Sequence, residues 1–224
     1  MRQYAMRVLV AISLLVVPAI TVRAATGFDH APRVVGLARD GETTLEFVGK
    51  VDQNGGSFTF IGYLTRVKGL DEASLFAGGD STARTEKTAR FTISGETTLT
   101  SRSIVGKVFV VDSTGRLDIF FDETPSGSVD FTDPGSFSQG DLIASFNTNF
   151  QNSISVTAPN EGISKGWGVL AQTRAEHFRL DGRRIQFGQT GQRQRVFAAG
   201  KGSKAAEDPI ISEIFITGNT VSLE

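Results

Sequence analysis

The fold of this chain follows most directly from residues 141–156, which read DLIASFNTNFQNSISV. Apolar residues occupy alternate positions here, and polar residues lie between them. The apolar set is Leu142, Ala144, Phe146, Phe150, Ile154 and Val156, and the polar set is Ser145, Asn147, Asn149, Gln151, Ser153 and Ser155. A period of two places each set on its own face of a β-strand, whereas a helix would scatter both. The pattern therefore predicts one long strand.

The residues that follow predict three more strands joined by tight turns. Residues 158–162 contain Pro, Asn and Gly, which favour a turn, and a second strand then runs from residue 163 to about 180. Its apolar set is Ile163, Trp167, Val169 and Ala171. Asp181-Gly182 is typical of a two-residue hairpin, so residues 183–187 form a third strand. Val196 and Phe197 indicate a fourth strand, which we expect to end near Gly200.

Similar patterns extend over the rest of the chain. Strands are predicted at residues 44–51, 57–67, 88–99 and 210–217, together with a hairpin of residues 103–112 and 116–122 that turns at residues 112–115. Two longer loops interrupt them. Residues 68–87, which hold a helical turn or two near residues 70–76, form either a lid or rim over a cavity or a plain surface excursion. Residues 123–139 form the second loop.

Hairpin-length connections and the lack of a long helical pattern define the fold class. Successive hairpins favour an all-β antiparallel meander, and closure removes the exposed edges that a long meander would otherwise present. We therefore predict a single β-barrel of about eight to ten strands, with a two-sheet β-sandwich as the alternative. Phe91, Phe146 and Trp167 are predicted to dominate its core.

Residues 1–24 have the composition of a signal peptide. Arg2 and Arg7 precede an apolar run at residues 8–17, and small residues close the segment before Ala25. The run is too short to span a bilayer, which takes about 20 residues, and no other segment comes closer. We therefore expect export to the periplasm or the extracellular space, with residues 25–224 forming one mature domain and no transmembrane segment.

Charge and rare residue types exclude several classes of function. Residues 1–24 hold three of the 23 basic residues and none of the 24 acidic ones, so the mature chain carries 20 basic residues, 24 acidic residues and a net charge of −4. That balance disfavours nucleic-acid binding. The chain has no Cys and only two His, so we expect no disulfide and no metal site. No motif indicates a cofactor, and the oligomeric state stays open.

The candidates for proton transfer are His177 and the adjacent Glu176. Neighbouring residues of a regular strand point to opposite faces, however, so these two would not form a local dyad. A group of arginines surrounds them: Arg174, Arg179, Arg183, Arg184, Arg193 and Arg195. These side chains either converge on an anion or form a solvated hairpin face.

The aromatic composition favours a ligand cavity. The chain has 17 Phe against two Tyr and one Trp, so most of its aromatic surface lacks a polar group. In a barrel wide enough to hold a ligand, these rings would line an apolar pocket. The predicted ligand-binding residues are Trp167, Phe146, Phe150, Asn147, Asn149 and Arg174.

Three functions are compatible with this sequence. The first is a non-enzymatic barrel that binds a small apolar or amphipathic molecule. The second is a cofactor-free isomerase or cyclase that uses the same cavity, which requires a titratable side chain directed into it. The third is a structural or cell-surface module, which a filled interior would favour.

Overall fold

The computed structural model describes residues 31–78, 82 and 84–224. The predicted signal peptide lies outside these residues. Within the described ranges, no helix combines the length and the hydropathy that crossing a bilayer requires. The regular structure consists of strands and short 3₁₀ turns.

Eleven strands occur within the described part of the chain. They are β1 (Arg33–Val35), β2 (Thr43–Asn54), β3 (Ser57–Val67), β4 (Phe91–Val105), β5 (Val108–Phe121), β6 (Asp141–Ala158), β7 (Glu161–Ala175), β8 (His177–Leu180), β9 (Arg183–Phe187), β10 (Arg193–Glu207) and β11 (Ile210–Leu223). Short 3₁₀ turns lie at Glu72–Leu75 and at Pro134–Ser138.

Eight of these strands close into an antiparallel barrel, which confirms the predicted barrel over the sandwich. The order around the barrel is β10-β11-β2-β3-β4-β5-β6-β7, and β7 pairs with β10 to complete the ring. Pairing along this seam runs from Arg193 opposite Ala171 to Ser203 opposite Glu161. Because every barrel strand has two neighbours, no barrel edge is left for pairing with another chain.

A separate three-stranded sheet, β1-β9-β8, closes one end of the barrel. Phe178 of β8 packs on Phe91 of β4 and on Phe121 of β5, with ring centroids 5.8 and 4.6 Å apart. Phe187 of β9 adds a fourth ring at 6.4 Å from Phe91. The predicted Asp181-Gly182 hairpin connects β8 to β9, and both of its residues have positive φ, at 49° and 77°. This aromatic cluster fills the end of the barrel next to the small sheet, which we call the closed end.

Buried polar contacts also attach the small sheet to the barrel wall. The amide nitrogen of Gln172, on β7, donates to the carbonyl oxygens of Arg174 and Phe187, at 2.9 and 2.8 Å. Its amide oxygen accepts from the backbone N–H of Gln189 at 3.1 Å. All of these groups are satisfied, so the connection avoids the cost of an unpaired buried amide.

The two long loops pack against different parts of the barrel. Leu75 and Phe76, in the loop of residues 68–87, are buried in the same core cluster as the closed end. Residues 123–139 instead cover the outer wall, where Val129 and Phe137 enclose Ile61 of β3. The described residues of the loop at 68–87 therefore contribute to the core at the closed end and do not cover the open end.

Close backbone approach explains two of the glycines inside strands. Gly49 of β2 and Gly62 of β3 lie opposite each other. A Cβ on Gly62 would stand 2.4 Å from the carbonyl oxygen of Val48 and 2.9 Å from the Cα of Gly49. Glycine is required there because any larger residue would push the two strands apart.

Four sequence predictions are corrected by the structure. The hairpin placed at residues 112–115 turns instead at residues 106–107, because β4 continues through residue 105. Strand β10 ends at Glu207 rather than near Gly200. The strand predicted to reach residue 180 ends at Ala175, after which β8 leaves the barrel for the small sheet. Trp167 is not a core residue, since 43% of its surface is exposed on the outer wall.

Core substitutions should separate the two faces by their effect on stability. Phe91 and Phe146 are fully buried, so Phe91→Ala and Phe146→Ala should each lower the free energy of unfolding by about 3–5 kcal/mol. Trp167→Ala serves as the control and should cost less than about 1 kcal/mol, because the indole is half solvated. Urea unfolding measures all three. An equal loss for Trp167→Ala would place the indole in the core and contradict the assigned faces.

Candidate functional site

An apolar chamber of about 120 Å³ occupies the barrel interior. All eight barrel strands contribute to its wall. The side chains around it are aliphatic, aromatic, hydroxyl or amide groups, and no charged residue is among the described residues that line it. Its hydrocarbon wall includes Leu45, Phe47, Val51, Phe58, Phe60, Leu64, Ile93, Val111, Leu117, Ile119, Phe146, Phe150, Ile154, Leu170, Val196, Ile214 and Ile216.

Small residues line the chamber at the β7–β10 seam. They are Ser164 and Gly166 of β7 and Ala198 of β10. The neighbouring strand β6 covers part of this seam, since a Cβ on Gly166 would stand 2.2 Å from the amide oxygen of Asn152. Phenylalanines from other strands, including Phe150 of β6, line the rest of the wall.

Most polar groups in the chamber bond to one another. The Thr97 hydroxyl lies 3.2 Å from that of Ser113. The Ser212 hydroxyl donates to the amide oxygen of Gln53 at 3.1 Å. Since paired groups have little capacity left for a ligand, the wall presents mainly hydrocarbon to the space inside.

One buried amide nitrogen has no partner among the described residues. Gln194 is fully buried, and its Nε2 makes no hydrogen bond, although its oxygen accepts from Thr44. An unpaired buried N–H is costly. This nitrogen is not part of the chamber wall.

The chamber opens into a mouth of about 430 Å³ at the end of the barrel where the strands meet in hairpin turns. Chamber and mouth adjoin each other, since six residues line both: Gln53, Val111, Ile154, Ser164, Ser212 and Ile214. Leu99, Phe109, Val156 and Ile210 extend the apolar wall outward. The interior is therefore closed at one end by the phenylalanine cluster and accessible at the other.

The mouth carries the ionisable groups that the chamber lacks. They are Arg102, Glu161, Lys204 and Glu207. Lys204 Nζ lies 2.5 Å from Glu207 Oε1, and Lys201 Nζ lies 2.9 Å from Glu161 Oε2. The pKa of Glu207 is lowered because Lys204 donates a hydrogen bond to its carboxylate and adds positive charge nearby. Both carboxylates at the mouth are thus paired with lysines.

The predicted ligand-binding residues are divided between the two faces of the barrel. Phe146 and Phe150 line the chamber. Trp167, Asn147 and Asn149 lie together in a shallow depression on the outer wall. In that depression Trp167 is opposite Gln151 on one side and Phe197 on the other, and Arg193 and Arg195 are also present.

The remaining candidates lie away from both the chamber and the mouth. Arg174 pairs with Glu176 at 2.8 Å, between the guanidinium Nε and Oε1. His177, the first residue of β8, is exposed in a surface depression that also contains Arg179 and Arg184. All six arginines of this region are exposed to solvent. The structure therefore brings none of these side chains to the interior space.

Sequence reasoning missed the mouth residues and the small-residue seam. The seam had a readable signal, since Gly162, Ser164, Gly166 and Gly168 alternate along β7, and Ala198, Gly200 and Gly202 do so along β10. Lys204 continues this alternation two residues after Gly202. Arg102 had no such signal, because it follows a β-bulge that shifts the alternation by one residue. Simple period-two counting assigns such a residue to the wrong face.

Fold and site together define a class: an eight-stranded antiparallel barrel, closed at one end, with an apolar chamber that opens through a charged mouth. Comparisons with protein-family models, with curated proteins and with solved structures found no match. The case for a function therefore depends on this chain's own residues.

Proposed function

We propose that this protein is an exported barrel that binds a small apolar or amphipathic molecule, with the apolar part of the ligand in the chamber. The observation that carries the proposal is the uncharged hydrocarbon wall of a space that opens to solvent. Ligand sites are typically concave, mainly apolar and furnished with a few polar groups. The chamber and its mouth have each of these properties.

The dimensions favour a ligand with a slender apolar part. A dry cavity of about 150 Å³ holds a single aromatic ring, and the chamber has about 120 Å³. The mouth, at about 430 Å³, accepts a larger group. Each methylene transferred from water to the chamber would contribute about 0.8 kcal/mol to binding. A short chain or one ring would therefore fill the chamber and leave the rest of the ligand at the mouth.

The placement of ionisable groups favours binding over catalysis. Acid–base chemistry in the chamber requires a titratable side chain within hydrogen-bonding reach of the ligand. Among the described residues, the chamber wall has no such side chain, and His177 lies outside it. The chamber of about 120 Å³ likewise favours binding over a purely structural role, for which a filled interior would suffice.

Filling the chamber should remove the ligand without unfolding the barrel. Ala198→Leu adds a branched side chain to the inner wall, where Ala198 lines the chamber. Native mass spectrometry of the protein purified from its own host should detect a bound small molecule in the wild type. We expect the Ala198→Leu variant to lack it, because the added methyl groups occupy the same space.

The matched control is Ala199→Leu, which adds the same side chain at the next residue, on the exposed outer face. This variant should retain the molecule. Retention by both variants would place the molecule elsewhere on the protein. Absence of any bound molecule from repeated wild-type preparations would count against the proposed function.

Export is the second part of the proposal and has its own test. Expression of the full chain with a tag at the carboxyl end should yield a secreted or periplasmic product whose intact mass corresponds to a first residue at Ala25. Replacing the apolar run at residues 8–17 by polar residues should leave uncleaved protein in the cytoplasm. A full-length product in the cytoplasm of the unmodified strain would contradict export.

A further inference from the structure

We propose that the ligand is an amphipathic acid whose anionic head group is bound by Arg102 at the mouth. This inference rests on the proposed function, because it takes the apolar part of the ligand to occupy the chamber. It adds the chemical class of the head group and the residue that selects it.

A β-bulge directs Arg102 toward the mouth. Pairing between β4 and β5 shifts register between Leu99 and Ser101, so that Arg102 lies opposite Val111. Val111 lines both the chamber and the mouth, and Arg102 lines the mouth. Without the bulge, the alternation that places Leu99 inside would place Arg102 outside. Bulges at barrel rims commonly reorient a side chain in this way.

Hydrogen bonds on the outer wall hold the bulge in place. The Ser101 hydroxyl donates to Oδ2 of Asp112 at 2.5 Å, and the amide nitrogen of Gln151 donates to Oδ1 at 2.9 Å. The two hydrogen bonds lower the pKa of Asp112 and keep its carboxylate ionised. Because Ser101 is bonded on the outer side, the next residue along the strand turns to the inner side.

Arg102 is also the cation at the mouth whose charge is not already paired. Glu207 is bonded to Lys204, and Glu161 is bonded to Lys201. Among the described residues, no carboxylate is paired with Arg102, and its guanidinium instead stacks over the Phe109 ring at 5.1 Å from the centroid. Stacking restricts the side chain while leaving the N–H groups at the edge of the guanidinium free to donate.

A carboxylate is the head group that the Arg102 guanidinium fits best. A guanidinium binds a carboxylate through two parallel N–H···O bonds, which a single hydroxyl cannot match and a cation would oppose. Phe109 lies on the apolar side of the mouth together with Ile154 and Val156. A chain entering the chamber past these residues would therefore leave its carboxylate beside Arg102.

Three probes with the same alkyl chain test the head group. Decanoate, n-decanol and decyltrimethylammonium share the part that would enter the chamber and differ only in charge. Isothermal titration calorimetry on the wild type should give the tightest binding for decanoate. Arg102→Gln should weaken decanoate binding about tenfold, the effect expected for losing a charge-assisted bidentate contact at a solvated site, while n-decanol affinity changes less than about twofold.

Arg195→Gln is the matched control, because Arg195 is exposed on the outer wall, and it should leave the affinity for all three probes unchanged. Equal affinity of the wild type for decanoate and n-decanol, with no effect of Arg102→Gln on either, would overturn the head-group assignment and leave the proposed chamber function standing. If neither decanoate nor n-decanol binds the wild type, the head-group assignment and the proposed chamber function are both overturned. An equal loss of decanoate affinity in Arg195→Gln would attribute the effect to net charge and also overturn the assignment.

Discussion

Hydrogen bonding between β7 and β10 is the contact on which the rest of the structure depends, because it closes the sheet into a ring. In a closed ring, alternate residues of each strand face either a shared interior or the outside. The same seam supplies the small residues Ser164, Gly166 and Ala198, which line the chamber. The strands that complete the barrel therefore also form part of the chamber wall.

The two ends of the barrel differ for separate physical reasons. At the closed end, Phe91, Phe121, Phe178 and Phe187 form an aromatic cluster that joins the barrel to the small sheet. At the open end, the strands meet in hairpins, and the bulge in β4 directs the charged Arg102 toward the interior space. The wall thus changes from hydrocarbon near the closed end to charged groups at the mouth. An amphipathic ligand would bind with its apolar part inside and its polar head group at the mouth.

Period-two patterning predicted much of this fold, because a strand with one buried face must alternate apolar and polar residues. It identified the inner positions of β6, including Phe146 and Phe150, the core residue Phe91 of β4, and the Asp181-Gly182 turn. It failed at Trp167 because the exposed apolar residues Ile163 and Trp167 of β7 alternate like a core set, while the small residues between them face the interior. It could not locate Arg102, whose direction depends on pairing between strands rather than on its neighbours in sequence.

The proposed function requires an apolar space inside the closed barrel that is reachable from one end. Diffraction from crystals pressurised with xenon can detect such a space, since xenon enters dry apolar cavities. We expect a xenon atom between Phe146, Leu117 and Val196, which line the chamber. A barrel interior without xenon, in which these side chains meet and fill the space, would contradict it.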